Sequence, residues 1–204
     1  SSSDAASARD DVQVISDEIN RLERIVGDFL QFARPPELER QMILLENLVA
    51  DVGNLLAPQL AKKSVRLVQE PVPRAWVLAD PSKMKQVLIN LVQNAGQSIE
   101  GAGTVTLRVV LARQALLGSS SDVAIIEVAD TGKGMSPEVV KRLFDPFFTT
   151  KDGGTGLGLP IAGRIIELHG GVIEFDTQPH RGTTFRIVLP RASYHEESTP
   201  NTAH

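Results

Sequence analysis

The sequence predicts an α+β fold with two layers, in which helices cover one face of a mixed β-sheet and a long amphipathic helix precedes the sheet. Strand-like runs cluster around helical runs without the regular alternation that a parallel sheet requires. The first 34 residues contain an apolar stripe at helical spacing. The length of 204 residues leaves room for one full domain plus an appendage.

The composition excludes several classes of protein. Hydrophobic residues make up 42% and charged residues 23%, as in ordinary soluble globular proteins. The net charge of −4 argues against a nucleic-acid partner, and the absence of cysteine excludes disulfide scaffolds, thiolate zinc sites and thiol nucleophiles. No apolar run approaches the ~18 residues of a membrane span. We expect a soluble, cytoplasmic portion, while membrane anchoring of a larger parent protein stays open.

The N-terminal residues predict one amphipathic helix with a narrow apolar seam. Its apolar positions are separated alternately by three and four residues, which is the a/d spacing of a heptad repeat. The helix should end at residues 34–36, where two prolines follow Arg34. Packing on its own domain is one interpretation, but so narrow a stripe favours a dimer-type seam. The seam consists of Val12, Ile15, Ile19, Leu22, Val26 and Phe29.

Turn residues divide the rest of the chain into helices and strands. Asp80 and Pro81 should begin a helix, and Gly170 and Gly171 should end another. The expected helices are 44–63, 82–99 and 157–168. The expected strands are 65–70, 75–79, 105–112, 123–129, 172–177 and 183–189, with a Gly/Ser loop at 118–121 and a long irregular segment at 145–156. We expect three regions, 1–34, 35–190 and a disordered tail at 191–204.

Two asparagines point to chemistry on the helix of residues 82–99. Asn90 and Asn94 are one turn apart on the side away from the apolar stripe, and Gln93 and Gln97 flank them. Amide side chains have only moderate helix propensity, so four of them on one side of a helix indicate a specific role for that side. A solvated polar face is one interpretation. In the other, the side-chain oxygen of Asn94 ligates a hard cation such as Mg²⁺, which prefers oxygen ligands.

A glycine-rich turn follows the strand of residues 123–129. Asp130 stands at the strand end, with Gly132 and Gly134 directly after it. A carboxylate there can accept hydrogen bonds from the exocyclic amine of a base, and glycines let a flat ring approach the backbone. An ordinary Asp-Gly turn explains the same residues equally well.

A second glycine-rich segment, at 151–159, opens a helix. Four glycines within six residues at a helix N-terminus are typical of an anion site, and Lys151 precedes them. The segment is neither a P-loop nor a dinucleotide fingerprint, because the required spacing is absent. We expect phosphate binding by a movable lid, residues 145–156, rather than a loop without a ligand. The neighbouring Phe144, Phe147 and Phe148 should anchor this lid in the core.

The histidines indicate no active site. His169 ends a helix, His180 lies in an expected turn, and His195 and His204 are in the tail. No pair has metal-ligand spacing, so we expect structural or solvent-exposed roles.

Five segments of the chain, taken in sequence order, resemble the conserved motifs, called boxes, of the ATP-binding domain of the GHKL superfamily. The most similar branch is the nitrogen-regulator type of sensor histidine kinase. The resemblance covers residues 35–190 and implies the two-layer Bergerat fold. The matching segments are 80–95 (N box), 130–135 (G1 box), 143–151 (F box), 154–159 (G2 box) and 182–185 (last sheet motif).

The resemblance implies a role for each candidate residue. Asp130 would bind the adenine amine, with Thr183 helping through water and with Gly132 and Gly134 in the adjoining turn. Asn94 would hold Mg²⁺, and Asn90 would lie beside the phosphates of ATP. The phosphate-binding residues would be Lys151, Gly154, Thr155, Gly156, Leu157 and Gly158.

Residue 90 separates the branches of the superfamily. The members that hydrolyse ATP have a glutamate there as the base for water, whereas Asn90 cannot take up a proton at neutral pH. Transfer of the γ-phosphate to a positioned histidine therefore fits better than hydrolysis. A nucleotide-sensing module without kinase activity, and a GHKL ATPase or serine kinase, stay as alternatives.

The N-terminal helix resembles the second helix of the dimerisation hairpin of these kinases. That likeness implies a homodimer, a phosphoacceptor helix of the same kinase and a response regulator receiver domain as partners. None of the four histidines has the sequence context of the acceptor, which belongs on the first helix. We therefore expect a fragment that begins downstream of its acceptor histidine.

Overall fold

The computed structural model describes residues 37–151 and 154–193 continuously, and fourteen positions between 12 and 33. All fourteen are helical, and we call this helix α1. The predicted joint at residues 34–36 and the tail beyond residue 193 lie outside the described residues. The remaining elements are β1 (Gln41–Leu44), α2 (Leu45–Ala61), β2 (Val65–Gln69), β3 (Trp76–Ala79), α3 (Pro81–Ser98), β4 (Gly103–Leu116), β5 (Ser119–Asp130), α4 (Pro137–Val140), α5 (Gly158–Leu168), β6 (Val172–Gln178) and β7 (Gly182–Pro190).

The main sheet has five strands in the order β2-β4-β5-β7-β6. The β2–β4 pair is parallel and the other pairs are antiparallel, so the predicted mixed sheet is confirmed. β3 does not join it. Instead β3 pairs with β1, a strand that the sequence analysis missed, in a separate antiparallel two-stranded sheet.

Helices α2, α3 and α5 pack on one face of the main sheet, as predicted. The inward residues of each strand alternate with outward ones, because successive side chains of a strand point to opposite faces. Leu107, Ile126 and Ile187 face the helices and are fully buried against residues such as Leu88 and Ile166. A smaller apolar cluster, which includes Val123, Ile125 and Val188, lies on the opposite face.

The hairpin between β4 and β5 differs from the prediction. The expected loop at 118–121 is a turn of only Leu117 and Gly118, with φ of 50° and 85°, and the serines at 119–121 belong to β5. Two positive φ values suit the tight turn that a twisted hairpin requires. Strand pairing thus overrides the preference of serine for loops.

The seam of α1 is exposed to solvent in the single chain. Exposed fractions of its six apolar side chains range from 49% for Phe29 to 66% for Val12. Among the described residues, no helix is long and apolar enough to cross a membrane.

Candidate active site

The fold brings Asn90 and Asn94 to one side of α3. The helix begins at Asp80, whose carboxylate accepts hydrogen bonds from the backbone N–H groups of Ser82 and Lys83 at 2.9 and 3.0 Å. Asn94 Nδ2 donates to Asn90 Oδ1 at 3.3 Å. The two amides therefore form a pair whose remaining oxygen, Asn94 Oδ1, faces another partner.

That partner is Lys151. Its ammonium donates to Asn94 Oδ1 at 2.6 Å and to Gln97 Oε1 at 2.7 Å. Burial of the ammonium and the nearby charge of Lys133 lower the pKa of Lys151 to about 8, although Asp130 acts in the opposite direction. Lys151 as a whole residue is nevertheless exposed. Two amide oxygens of α3 thus hold a cation next to the glycine-rich segment.

Asp130 lies at the other end of the site, where β5 ends. Its Oδ1 accepts hydrogen bonds from Gly132 N–H at 2.8 Å and from the Ser98 hydroxyl at 2.9 Å. Asp130 is 9% exposed. Burial raises the pKa of Asp130, and the hydrogen bonds from Gly132 and Ser98 offset this only in part. The side chain is a buried acceptor held in a fixed orientation.

Thr183 lies directly beside Asp130, because β5 and β7 pair these two residues. Its hydroxyl is 2.9 Å from the Thr177 hydroxyl, which also accepts from Met135 N–H at 3.0 Å. The prediction that Asp130 and Thr183 share one site therefore agrees with the register of the sheet.

The two glycines after Asp130 pack tightly against the protein itself. A Cβ on Gly132 would lie 2.0 Å from Ser98 Oγ, and one on Gly134, whose φ is +63°, would lie 2.0 Å from the carbonyl oxygen of Gln178. The fold thus requires glycine at both positions, independently of any approach by a flat ring.

The second glycine-rich segment closes on α3 and on the F box. Residues 152 and 153 lie outside the described residues. A Cβ on Gly158 would lie 2.6 Å from Asn90 Oδ1. Gly156 has a φ of +67°, and its carbonyl accepts from Phe147 N–H at 3.1 Å. The side chain of Leu157, the N-cap residue of α5, makes no capping hydrogen bond, and the helix begins directly against Asn90.

The anchoring role expected for the phenylalanines was wrong in part. Phe147 is 58% exposed, with its ring 6.5 Å from that of Phe32 in α1, and Phe144 is 36% exposed. The buried residues at the two ends of the lid are Leu143 and Leu157. Phe147 also has a positive φ, and its backbone bond to Gly156 accounts for that strained conformation.

The donor set fits an Mg²⁺-bound polyphosphate. Asn94 Oδ1 is an uncharged oxygen that already accepts from a cation. Asn90 Nδ2 is a buried donor with no hydrogen-bond partner among the described residues. An orphaned donor of this kind costs about 1–3 kcal/mol, and a phosphate oxygen would satisfy it. Lys151 and the N-terminus of α5 supply further groups that favour anions.

The sequence analysis missed Ser98 and Thr177, and it named Gln97 only as a flanking amide. Ser98 orients Asp130, Gln97 shares Lys151 with Asn94, and Thr177 holds Thr183. Gln97 and Ser98 follow Asn94 by three and four residues, which places them on its side of the helix and was an available signal. Thr177 could not be found in that way, because its contact depends on strand pairing.

The architecture is that of a two-layer α+β domain with helices on one face of a mixed sheet. The sequence model of the histidine kinase-, DNA gyrase B- and HSP90-like ATPases matches residues 79–193, more than half of the chain. The chain therefore belongs to this family. The resemblance inferred from the five boxes is confirmed.

Individual relatives are sensor kinases. ZraS, a sensor histidine kinase of Salmonella typhi, is 36% identical over 181 residues, which are 87% of this chain and 37% of ZraS. The chain thus spans little more than a third of that relative's length. Full-length ShkA in complex with AMPPNP has a TM-score of 0.76 at 29% identity, over 91% of this chain and 39% of ShkA. The histidine kinase ThkA in complex with the response regulator protein TrrA has a TM-score of 0.70 at 30% identity, over 88% of this chain and 50% of ThkA.

Proposed function

We propose that this chain binds Mg-ATP and transfers the γ-phosphate to a histidine on the dimerisation helix of a two-component sensor kinase. The observation that supports this most directly is the cation-holding oxygen of Asn94, on the same side of α3 as Asn90, against which the N-terminus of α5 begins. One cleft therefore offers an oxygen ligand for a metal and amide donors for phosphates. The similarity to AMPPNP-bound ShkA supports ATP as the nucleotide.

The adenine end of the proposed site is at the end of β5. Asp130 accepts from the exocyclic amine of adenine, and Thr183 assists through a water molecule. Because Gly132 N–H and the Ser98 hydroxyl both occupy Oδ1, the other carboxylate oxygen is the one assigned to the base. The glycines at 132 and 134 keep this turn seated on Ser98 and Gln178.

The phosphate end lies between α3 and the lid. Asn94 Oδ1 would hold Mg²⁺, which would neutralise charge on the phosphates. Lys151 and the segment of Gly154, Thr155, Gly156, Leu157 and Gly158 bind the phosphate oxygens. Lys151 must leave Asn94 Oδ1 to do so, since that oxygen cannot hold an ammonium and the metal at once.

Asn90 favours transfer over hydrolysis. Its buried Nδ2 donates to a phosphate oxygen, and its amide cannot act as the base that activates water. Phosphoryl transfer depends mainly on positioning and charge stabilisation, which the cleft supplies.

The partners follow from the N-terminal helix and the relatives. The exposed seam of α1 suits pairing with a second copy of the chain in a dimer. The phosphoryl group then passes from the acceptor histidine to the receiver domain of a response regulator, in keeping with the complex of ThkA. Residues 1–34 serve dimerisation and 35–190 catalysis. We assign this part of the protein to the cytoplasm, where ATP is available.

The test uses ATP labelled on the γ-phosphate. The chain is incubated with Mg²⁺ and labelled ATP, free phosphate is followed, and a helix fragment with the acceptor histidine is then added. Little release of phosphate, followed by acid-labile label on the fragment, supports the kinase; the Asn94→Ala variant should leave the fragment unlabelled. Steady release of phosphate would indicate an ATPase. Binding of Mg-ATP without release or transfer would indicate a nucleotide-sensing module.

A further inference from the structure

His169 is buried between the two helices that form the phosphate end of the cleft. It is 5% exposed and stands at the C-cap of α5. Asp80 N–H, just before α3, donates to His169 Nε2 at 3.0 Å. On the other side of the ring, His169 Nδ1 is 2.7 Å from the carbonyl oxygen of Ile165.

These contacts define the state of the imidazole. A backbone N–H can only donate, so Nε2 is the acceptor and the proton resides on Nδ1, which donates to Ile165. The ring is therefore a neutral strut between a carbonyl of α5 and the residue that caps α3.

Both ends of this strut are rigid. α5 ends in a Schellman motif, in which Gly171 N–H donates to the carbonyl of Ile166 and Gly170 N–H to that of Glu167. Asp80 is 6% exposed, and its carboxylate accepts from three backbone N–H groups. Burial alone would raise the pKa of Asp80, but these hydrogen bonds outweigh it and the pKa is lowered.

The strut fixes how far α5 reaches along α3. The helices are antiparallel, since His169 meets Asp80 at one end and Gly158 meets Asn90 at the other. From Asp80 to Asn90 the rise is about 15 Å, and from Gly158 to His169 it is about 16.5 Å, so the two spans match. A shift of α5 along its axis would move its N-terminal amides away from Asn90 by the same distance.

We propose that His169 is a positioning residue for phosphoryl transfer: it sets the axial register of α5 on α3, and thereby the distance from the phosphate-binding amides to Asn90 and Asn94. The proposal rests on the function proposed above. His169 itself does not touch the nucleotide.

The experiment compares His169→Phe, which keeps a flat ring but removes both hydrogen bonds, with His169→Gln, which can still offer an acceptor to Asp80 N–H. Val188→Ala is the control for stability, because Val188 is buried in the apolar cluster on the far face of the sheet. The affinities for Mg-ATP and for adenosine are measured by calorimetry and NMR titration, with melting temperatures alongside.

His169→Phe should weaken Mg-ATP binding at least about tenfold, since that is the cost of losing one good hydrogen bond from a backbone amide to a charged phosphate oxygen. Its affinity for adenosine, which depends on Asp130, should change by less than about twofold. His169→Gln should recover most of the Mg-ATP affinity. Val188→Ala should leave both affinities unchanged despite a lower melting temperature.

Equal losses for Mg-ATP and adenosine, or unchanged Mg-ATP binding, would overturn the positioning role. So would a His169→Gln variant no better than His169→Phe. If the unmodified chain binds no Mg-ATP, the proposed function itself fails. If it binds Mg-ATP while His169→Phe behaves like Val188→Ala, only the role of His169 fails.

Discussion

Replacing Asp130 by asparagine should separate nucleotide recognition from folding stability. The substitution conserves size, and the side-chain oxygen of asparagine can still accept from Gly132 N–H and the Ser98 hydroxyl, as Asp130 Oδ1 does. The amide nitrogen then replaces the oxygen assigned to adenine. A donor would face the donating amine of the base where an acceptor faced it before.

The expected loss follows from one buried hydrogen bond to a charged group. Such a bond contributes about 1–3 kcal/mol, so the dissociation constant for Mg-ATP should rise by about 5- to 150-fold. Inosine triphosphate has a carbonyl oxygen in place of the amine, and an oxygen suits the new donor. Asp130→Asn should therefore bind Mg-ITP better than the unmodified chain does.

The melting temperature should not fall with this loss of affinity. Because burial raises the pKa of Asp130 in the folded chain, the carboxyl group contributes most stability while protonated, and that contribution is lost as pH rises through the folded-state pKa. At pH 7 a neutral amide therefore removes an unfavourable buried charge. Calorimetric titration with both nucleotides and a thermal melt measure the three quantities. Unchanged ATP affinity, or an equal loss for ATP and ITP, would refute the assignment of Asp130 to the base.

Three further substitutions test the phosphate end of the cleft. Asn94→Ala should weaken Mg-ATP by about 1–3 kcal/mol but not adenosine, as measured by titration; equal losses would contradict a role in metal binding. Since the pKa of Lys151 is about 8, its charge is mostly present at pH 7 and is lost above pH 8, so Mg-ATP affinity should decrease between pH 7 and 9. Lys151→Arg stays charged and should abolish that decrease; a decrease that persists would exclude Lys151 as its source. Gly158→Ala puts a Cβ 2.6 Å from Asn90 Oδ1, so the Asn90 side chain must shift; loss of one hydrogen bond to a phosphate oxygen should weaken Mg-ATP about tenfold but leave adenosine binding unchanged in the same titration.

Local sequence signals predicted most elements of the fold well. Asp80 followed by Pro81 begins α3, and Gly170 ends α5, because caps depend on residues adjacent in the chain. The strand at 75–79 was found, but not its partner, since β1 is only four residues long and pairs with β3 across 32 or more residues. The Gly/Ser loop was misplaced because serine's preference for loops is weaker than the pairing of β4 with β5.

The candidate site shows the same division. The side of α3 that holds Asn90 and Asn94 follows from helical spacing, which the sequence contains. The exposure of Phe147 does not follow from the sequence, because burial depends on which surfaces the fold brings together and not on side-chain hydrophobicity.

The sequence by itself determined the family, the helical face of Asn90 and Asn94, and the two glycine-rich segments. All of these rest on spacing along the chain and on residue type. Only the tertiary structure decided that Lys151 lies on Asn94, that Ser98 orients Asp130, and that His169 joins α5 to α3. These contacts connect residues 32 to 89 positions apart. No local preference encodes such distances; they follow from the burial of one apolar core between the helices and the sheet.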